Sequence, residues 1–142
     1  MCAARAKLTD RRANLILDGG TQTLSGAITF RDLQKIGADN KTLFIDPSSI
    51  ITVNFLMKLG GSFEGRLNMR STIPGTAARL RSGSPGGVTQ TGQIDVKDMD
   101  ASGGKEIQCI LGCRDKGNNT NWRFPNLTAQ VIKGTVYKED RV

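Results

Sequence analysis

Few side chains in this 142-residue chain are suited to acid–base or nucleophilic chemistry. Histidine, the commonest general base and nucleophile activator, is absent from the sequence. Ser-His-Asp and Cys-His arrangements are therefore excluded within the chain. Glu64 and Glu106 are the remaining candidate acid–base pair, but both fit ordinary solvated strand positions. We predict no catalytic residues and a protein that is not an enzyme.

Two groups of residue types that bind metal ions occur, and neither matches a metal-site pattern. Three cysteines without histidine cannot complete the usual zinc site unless a carboxylate contributes. The spacing of Asp95, Asp98 and Asp100 lacks the central glycine and terminal glutamate of a calcium loop, which indicates a solvated turn. We therefore predict no metal and no cofactor.

The odd number of cysteines leaves two interpretations open. The pattern over Lys105 to Cys113 predicts a strand, and four residues of strand span about 13 Å. A disulfide needs Cα atoms within about 7 Å, so Cys109 and Cys113 are not expected to bond unless Gly112 carries a bulge. The alternatives are three reduced thiols, or intermolecular disulfides formed by Cys2, Cys109 or Cys113.

The positive charge of the chain points to an anionic partner. The formal net charge is +7, with a pI near 9.7. The excess lies near the N-terminus and in the middle of the chain, at Arg5, Lys7, Arg11, Arg12, Arg66, Arg70, Arg79 and Arg81. A β-barrel module that binds nucleic acid is the resulting alternative function. It requires Trp122, Phe124 or Tyr137 to be exposed for stacking on bases.

No stretch of the sequence suits a membrane span or a secretory signal. A membrane helix needs roughly 18 to 20 apolar residues, and no segment of the chain approaches that. We predict no membrane partner.

The clearest structural pattern runs from Ser62 to Ser71, where apolar and polar residues alternate. Strand side chains point to opposite faces with a period of two, so this segment has one apolar and one polar face. The pattern favours an antiparallel strand. Ile50 to Leu59 also alternates, and Gly60-Gly61 between the two segments predicts a hairpin. The outward face carries Glu64, Arg66, Asn68 and Arg70.

The rest of the chain predicts a small, mainly β domain over residues 1–142. Gln22 to Arg31 and Lys41 to Asp46 are further strands, and Arg31 to Ile36 is a candidate helical turn. Residues 1–12 form an N-terminal arm, and residues 71–88 form a long irregular loop rich in glycine and serine. The glycine pairs are irregularly spaced, which indicates no internal repeat. We predict a β-sandwich or barrel of seven to nine strands with at most one short helix.

The chain resembles the tail tube proteins of contractile-tailed bacteriophages, which are related to type VI secretion tubes. The resemblance rests on the size, the predicted hairpin at Gly60-Gly61, the loop at Ser71 to Val88 and the closing strands up to Val142. It implies a virion protein, assembled in the host cytoplasm, that forms hexameric rings. The rings stack into a tube with a β-barrel lumen for DNA, inside a sheath or beside other tail proteins.

The resemblance also implies roles for particular residues. Ile50 to Arg70 would be the inner hairpin, with Glu64, Arg66, Asn68 and Arg70 facing the lumen. The inter-subunit candidates are Arg5, Arg11, Arg12, Arg79 and Arg81, and Cys2 would cross-link neighbouring chains. Arg66 and Arg70 depart from the acidic lumen of this family. Another virion component, such as a head-decoration or connector protein, is a further alternative.

Overall fold

The fold is mainly β, as the sequence predicts. The computed structural model describes residues 2–5, 13–37, 39–62, 64–83 and 88–124. These residues form strands and turns with no helix, and the sheet is nearly closed and barrel-like.

Fifteen strands follow one another in the described residues. Their bounds are β1 Cys2–Arg5, β2 Asn14–Ile16, β3 Gln22–Ser25, β4 Ala27–Lys35, β5 Thr42–Ile45, β6 Ile50–Gly60, β7 Leu67–Ser71, β8 Ala78–Ser82, β9 Val88–Gly92, β10 Ile94–Val96, β11 Met99–Asp100, β12 Ile107–Leu111, β13 Arg114–Asp115, β14 Asn119–Thr120 and β15 Trp122–Arg123.

Every pairing between these strands is parallel. Ladder A has the order β1-β3-β5-β7-β10-β13. The long strands β4 and β6 bend, and each of them takes part in two ladders. Their first halves belong to ladder B, which continues with β8, β11 and β14. Their second halves belong to ladder C, which continues with β9, β12 and β15. Strand β2 lies on the open side of β4 in ladder C. The chain thus winds through A, B and C in repeated turns, which we call coils. Coil 1 contains β1 and β2, coil 2 contains β3 and β4, coil 3 contains β5 and β6, coil 4 contains β7 to β9, coil 5 contains β10 to β12, and coil 6 contains β13 to β15.

The parallel coils overturn the hairpin predicted at Gly60-Gly61. Strand β6 pairs with β4, β8 and β9, whereas β7 pairs with β5 and β10. The two strands lie on different ladders, and the glycine pair turns the chain from ladder C to ladder A. The prediction of no internal repeat is also wrong, because the coils are structural repeats that are unequally spaced along the sequence. Leu43 pairs with Met69, which pairs with Val96.

One apolar core fills the space between the three ladders. Alternate residues of each strand point inward and stack on the equivalent residues of the next coil, as in the buried row Leu24, Ile45 and Ser71. The alternation predicted over Gln22 to Arg31 is confirmed by burial of Leu24, Ile28 and Phe30. The alternation predicted for the Ser62 to Ser71 segment is confirmed at Leu67 and Met69.

Two segments predicted to be irregular or helical are strands. Arg31 to Ile36 is not a helical turn, because β4 continues to Lys35 with Leu33 and Lys35 facing inward. The loop predicted over residues 71–88 contains β8, whose Ala78, Leu80 and Ser82 are buried. Within the predicted arm of residues 1–12, the described part is strand β1, paired with β3.

Residues in the left-handed backbone region make several of the sharp turns between ladders. Asn40, Gln93, Asp98, Asn118 and Asn121 have φ between 55° and 62°. Asparagine and aspartate tolerate this conformation better than most side chains. Because strands of successive coils pair in register, their outer side chains line up along each ladder.

Candidate functional site

The four side chains predicted to face a lumen lie on the outside of the coils. Glu64 is exposed and precedes β7, while Arg66, Asn68 and Arg70 are partly exposed. They alternate with the buried Gly65, Leu67 and Met69, so the predicted polar face exists. Phe63 lies outside the described residues.

The two arginines of this group are held by their own chain. The Nε of Arg66 donates a hydrogen bond to the carbonyl oxygen of Gly112 at 2.9 Å and lies 3.7 Å from Oδ1 of Asp95. The Nη1 of Arg70 donates to the carbonyl oxygens of Met69 and Asp95, at 2.9 and 2.8 Å. Both side chains are therefore bonded to backbone oxygens of their own chain, although they remain partly exposed.

Arg79 and Arg81 form a contrasting pair on the outer face of ladder B. They are two residues apart on β8, with inward-facing residues on either side. In register, Arg79 lies beside Asp100 of coil 5, and Arg81 lies beside Thr52 of coil 3. Neither guanidinium makes a hydrogen bond or ion pair with any residue that the structure describes. The Nε of Arg81 is buried and has no hydrogen-bond acceptor among the described residues. The guanidinium packs against Gly103.

Asp100 stays close to this pair without neutralising it. Its Oδ1 accepts hydrogen bonds from the backbone nitrogen of Ser102 at 2.8 Å and from the Ser102 hydroxyl. These bonds lower the pKa of Asp100, with smaller contributions from the charges of Arg81 and Arg79. The carboxylate therefore bonds within the turn that follows β11, and two positively charged side chains lie near this one negative charge.

The predicted solvated turn around Asp98 is a buried hydrogen-bonded turn. Asp98 is only 2% exposed and adopts φ 58°. Its Oδ2 accepts from the backbone nitrogen of Gly75 at 3.0 Å, and its Oδ1 accepts from Nδ2 of Asn118 at 2.7 Å. These two bonds lower the pKa of Asp98. The side chain therefore connects three successive coils.

Cys109 and Cys113 lie at disulfide distance, with Cα atoms 6.1 Å apart. The expectation that they are too far apart is wrong, because the chain does not continue as a regular strand. The register shifts between Cys109 and Leu111, and Gly112 adopts φ 67°. An intrachain pair leaves Cys2 as the intermolecular candidate, and its side chain lies outside the described part of the structure.

Lys35 is a buried cation that sequence reasoning missed. It is 1% exposed and points inward from β4. Its ammonium donates to the carbonyl oxygens of Gly19 and Gly20 at 3.0 and 2.8 Å, and to Oε1 of Gln22 at 2.7 Å. Burial lowers the pKa of Lys35, and the charge of Asp18 partly opposes this. Alternation did not reveal this burial, because the register shift between Phe30 and Asp32 puts Lys35 out of phase with the inward-facing Ile28 and Phe30.

The aromatic residues predicted to stack on bases are directed towards the core. Trp122 and Phe124 stack on each other, with ring centroids 6.2 Å apart, and pack against the core cluster. Tyr137 lies beyond the described residues. Of the inter-subunit candidates, Arg5 is described only in its backbone, whereas Arg11 and Arg12 fall outside the described ranges.

The candidate acid–base residues are not brought into one site by any described contact. Glu106 is exposed and lies 3.8 Å from Nη1 of Arg123. Glu64 is exposed at the turn before β7, where its backbone nitrogen bonds the Ser62 hydroxyl at 3.1 Å. Residues 13–37, 39–62, 64–83 and 91–124 contain no cluster of cysteine, aspartate and glutamate suited to hold a metal ion.

No protein-family model, no curated protein and no solved structure matches this chain. The part of the chain that the structure describes has no helix capable of crossing a lipid bilayer.

Proposed function

We propose that this chain is a non-catalytic structural protein that assembles with copies of itself, end to end, through its coils. As the sequence resemblance implies, we place this assembly in a virion, where other tail or head proteins are further partners. The hairpin-lined ring is not part of it, because β6 and β7 do not pair.

The proposal is based on the strand edges of coil 6, the last described coil. Strands β13, β14 and β15 each pair with one strand of coil 5. Among the described residues no strand lies on their other side. A strand edge of this kind presents N–H and C=O groups that readily pair with another chain.

A second copy suits these edges because the first and the last described coils belong to the same ladders. Coil 1 begins ladder A with β1 and ladder C with β2. Placing coil 1 of one molecule on coil 6 of the next continues the parallel pairing in the same direction. Such a head-to-tail contact does not close on itself, so it generates a filament. Arg79 and Arg81 lie in coil 4 and stay outside this interface.

The nucleic-acid-binding alternative has less support from the outer surface. Arg66 and Arg70 are occupied by backbone oxygens of their own chain. Trp122 and Phe124 pack against the core. A binding groove would need both cations and aromatic faces open to the ligand.

Hydrogen exchange at increasing protein concentration tests the proposal. We expect amides of residues 114–123 to become protected as concentration rises, since they would form new inter-chain bonds. Amides of β5 and β6 in coil 3 serve as the internal control and should not change. Light scattering and electron microscopy on the same samples should show filaments of growing length.

Two results would contradict end-to-end assembly. One is a particle that stays monomeric in light scattering at every concentration. The other is full protection of residues 114–123 in the dilute monomer, which would mean that the same chain already covers this edge.

A further inference from the structure

We propose that the Cys109–Cys113 pair is a redox switch on the end-to-end contact between copies. As a disulfide it fixes the start of β13, the edge strand of coil 6 in ladder A, and as two thiols it releases that strand. The inference rests on the assembly proposed above, because β13 is one of the edges through which the copies would pair.

The pair connects the core of coil 5 to the open edge of coil 6. Cys109 is fully buried in β12, which pairs with β9 and β15. Cys113 directly precedes β13, whose neighbour among the described strands is β10. A bond between the two sulfur atoms therefore anchors the start of the edge strand to the core.

The turn between the two cysteines is held mainly by this bond. Ile110 and Leu111 are 57% and 49% exposed, so the turn buries neither of its large apolar side chains fully. Hydrogen bonds reach two of its carbonyl oxygens. Leu111 accepts from the Gln93 amide at 2.7 Å, and Gly112 accepts from Nε of Arg66 at 2.9 Å. Such bonds stabilise a partly exposed turn only modestly, so the disulfide is its dominant constraint.

Reduction frees the chain to lengthen between coil 5 and coil 6. The Cα atoms of Cys109 and Cys113 are 6.1 Å apart, whereas four residues of regular strand span about 13 Å. Gly112, at φ 67°, makes the reversal that brings them together, and glycine adopts extended conformations as readily. In the thiol form, β13 is then positioned by its short pairing with β10. Ordering this strand against a second copy costs conformational entropy, which weakens association.

Thiol–disulfide exchange with a small dithiol operates the switch. Cys113 is partly exposed and Cys109 is buried, so Sγ of Cys113 is the sulfur that the reductant can reach. A thiolate of the dithiol attacks this sulfur, and Cys109 leaves as a thiolate. The second thiolate of the dithiol attacks the reductant's sulfur in the mixed disulfide and releases Cys113. The pair gains two electrons and two protons, and the dithiol becomes a cyclic disulfide.

Light scattering of the full chain with and without a dithiol tests the switch. We expect reduction to raise the protein concentration needed for association about tenfold, the weakening that follows when a flexible segment must be ordered on binding. In the dilute monomer, reduction should speed amide exchange at Gln93 and Lys116, which bond to the oxygens of Leu111 and Val96 at 2.7 and 2.8 Å. The amide of Asn68, which bonds to the oxygen of Lys41 at 2.8 Å, is the internal control.

Two serine variants separate this pair from the third cysteine. Cys113→Ser should associate like the reduced wild type, whether or not the dithiol is present. Cys2→Ser is the matched control and should keep the full response to reduction. A response that disappears in Cys2→Ser would assign the effect to an intermolecular disulfide and overturn the switch.

The outcomes distinguish failure of the switch from failure of the assembly. Association that is equally strong in both redox states overturns the switch and leaves end-to-end assembly intact. Association in neither state overturns the assembly and its control together. Unchanged exchange at Gln93 and Lys116 also overturns the switch. The same holds if exchange at Asn68 accelerates equally, because reduction would then unfold the coils instead of releasing the edge.

Discussion

Gly60 and Gly92 lie opposite each other in adjacent coils of ladder C, so close that a Cβ on Gly60 would overlap the carbonyl oxygen of Gly92. The contact is between backbones, and a side-chain rotation cannot relieve it. It occurs where β6 ends and the chain turns towards ladder A. The absence of side chains at both positions lets consecutive coils approach each other at this corner.

Gly60→Ala should therefore destabilise the fold by about 1–3 kcal/mol, the usual cost of forcing extra volume into a packed site. Chemical denaturation measures the free energy of unfolding. Gly20→Ala is the control, because the nearest atom to its added Cβ is the Cδ of Lys41 at 4.0 Å. That variant should be neutral or more stable by up to about 1 kcal/mol. Equal losses in both variants would contradict the argument.

The sequence predicted which faces are buried better than it predicted which strands are neighbours. Alternation correctly placed Leu67 and Met69 inward and Arg70 outward. Alternation does not encode strand direction, however. A half-wet parallel sheet is unusual because parallel strands are ordinarily covered by helices on both faces. Here short turns replace the helices, and the partners of β7 come from β5 and β10.

Local patterns also failed where an inward position carries a polar residue. Lys35 and Ser82 face the core from β4 and β8, so both segments looked less apolar than ordinary strands. The sequence also did not show which arginines are hydrogen-bonded to their own chain. Arg66 is occupied by Gly112, which lies 46 positions later in the chain. The identity of such partners follows from coil register, and the sequence alone does not supply that register.

The buried ammonium of Lys35 should give the fold a specific alkaline pH dependence. Its folded-state pKa lies below the ordinary lysine value of 10.5, so the unfolded chain binds more protons between the two values. Stability contributed by this group therefore rises as pH increases through the folded pKa towards 10.5. Denaturation curves across that interval should show a steeper rise for the wild type than for Lys35→Met.

Lys58→Met provides the control for this measurement, because Lys58 lies on the outer face of β6 and is partly exposed. That variant should keep the pH dependence of the wild type. An identical slope in Lys35→Met and the wild type would contradict the assignment of the effect to Lys35.

Asp98 should make the fold sensitive to acid. Hydrogen bonds from Gly75 and Asn118 lower its pKa in the folded state. The stability they provide is present above the unfolded value of 3.8 and is lost as pH falls through the lower folded pKa. Asp98→Asn tolerates the same backbone conformation but removes the charge, and it should cost about 1.5–3 kcal/mol at neutral pH.

Glu64→Gln is the matched change on an exposed carboxylate, and it should alter neutral-pH stability by less than about 0.5 kcal/mol. Unfolding curves at neutral and acidic pH distinguish the two positions. An equal stability difference between wild type and Asp98→Asn at both pH values would mean that Asp98 is not the source of the acid sensitivity.

The cysteine pairing predicts how many thiols react before and after reduction. With Cys109 and Cys113 joined, alkylation of the unfolded, unreduced protein should modify one cysteine, Cys2, and reduction should raise the number to three. Reduction should also lower stability by about 2 kcal/mol, because the closed loop is short. Cys113→Ser should give two reactive thiols. Mass spectrometry that finds three reactive thiols without reductant would contradict the pair. A ladder of cross-linked species that survives Cys2→Ser would instead restore Cys109 or Cys113 as the intermolecular residue.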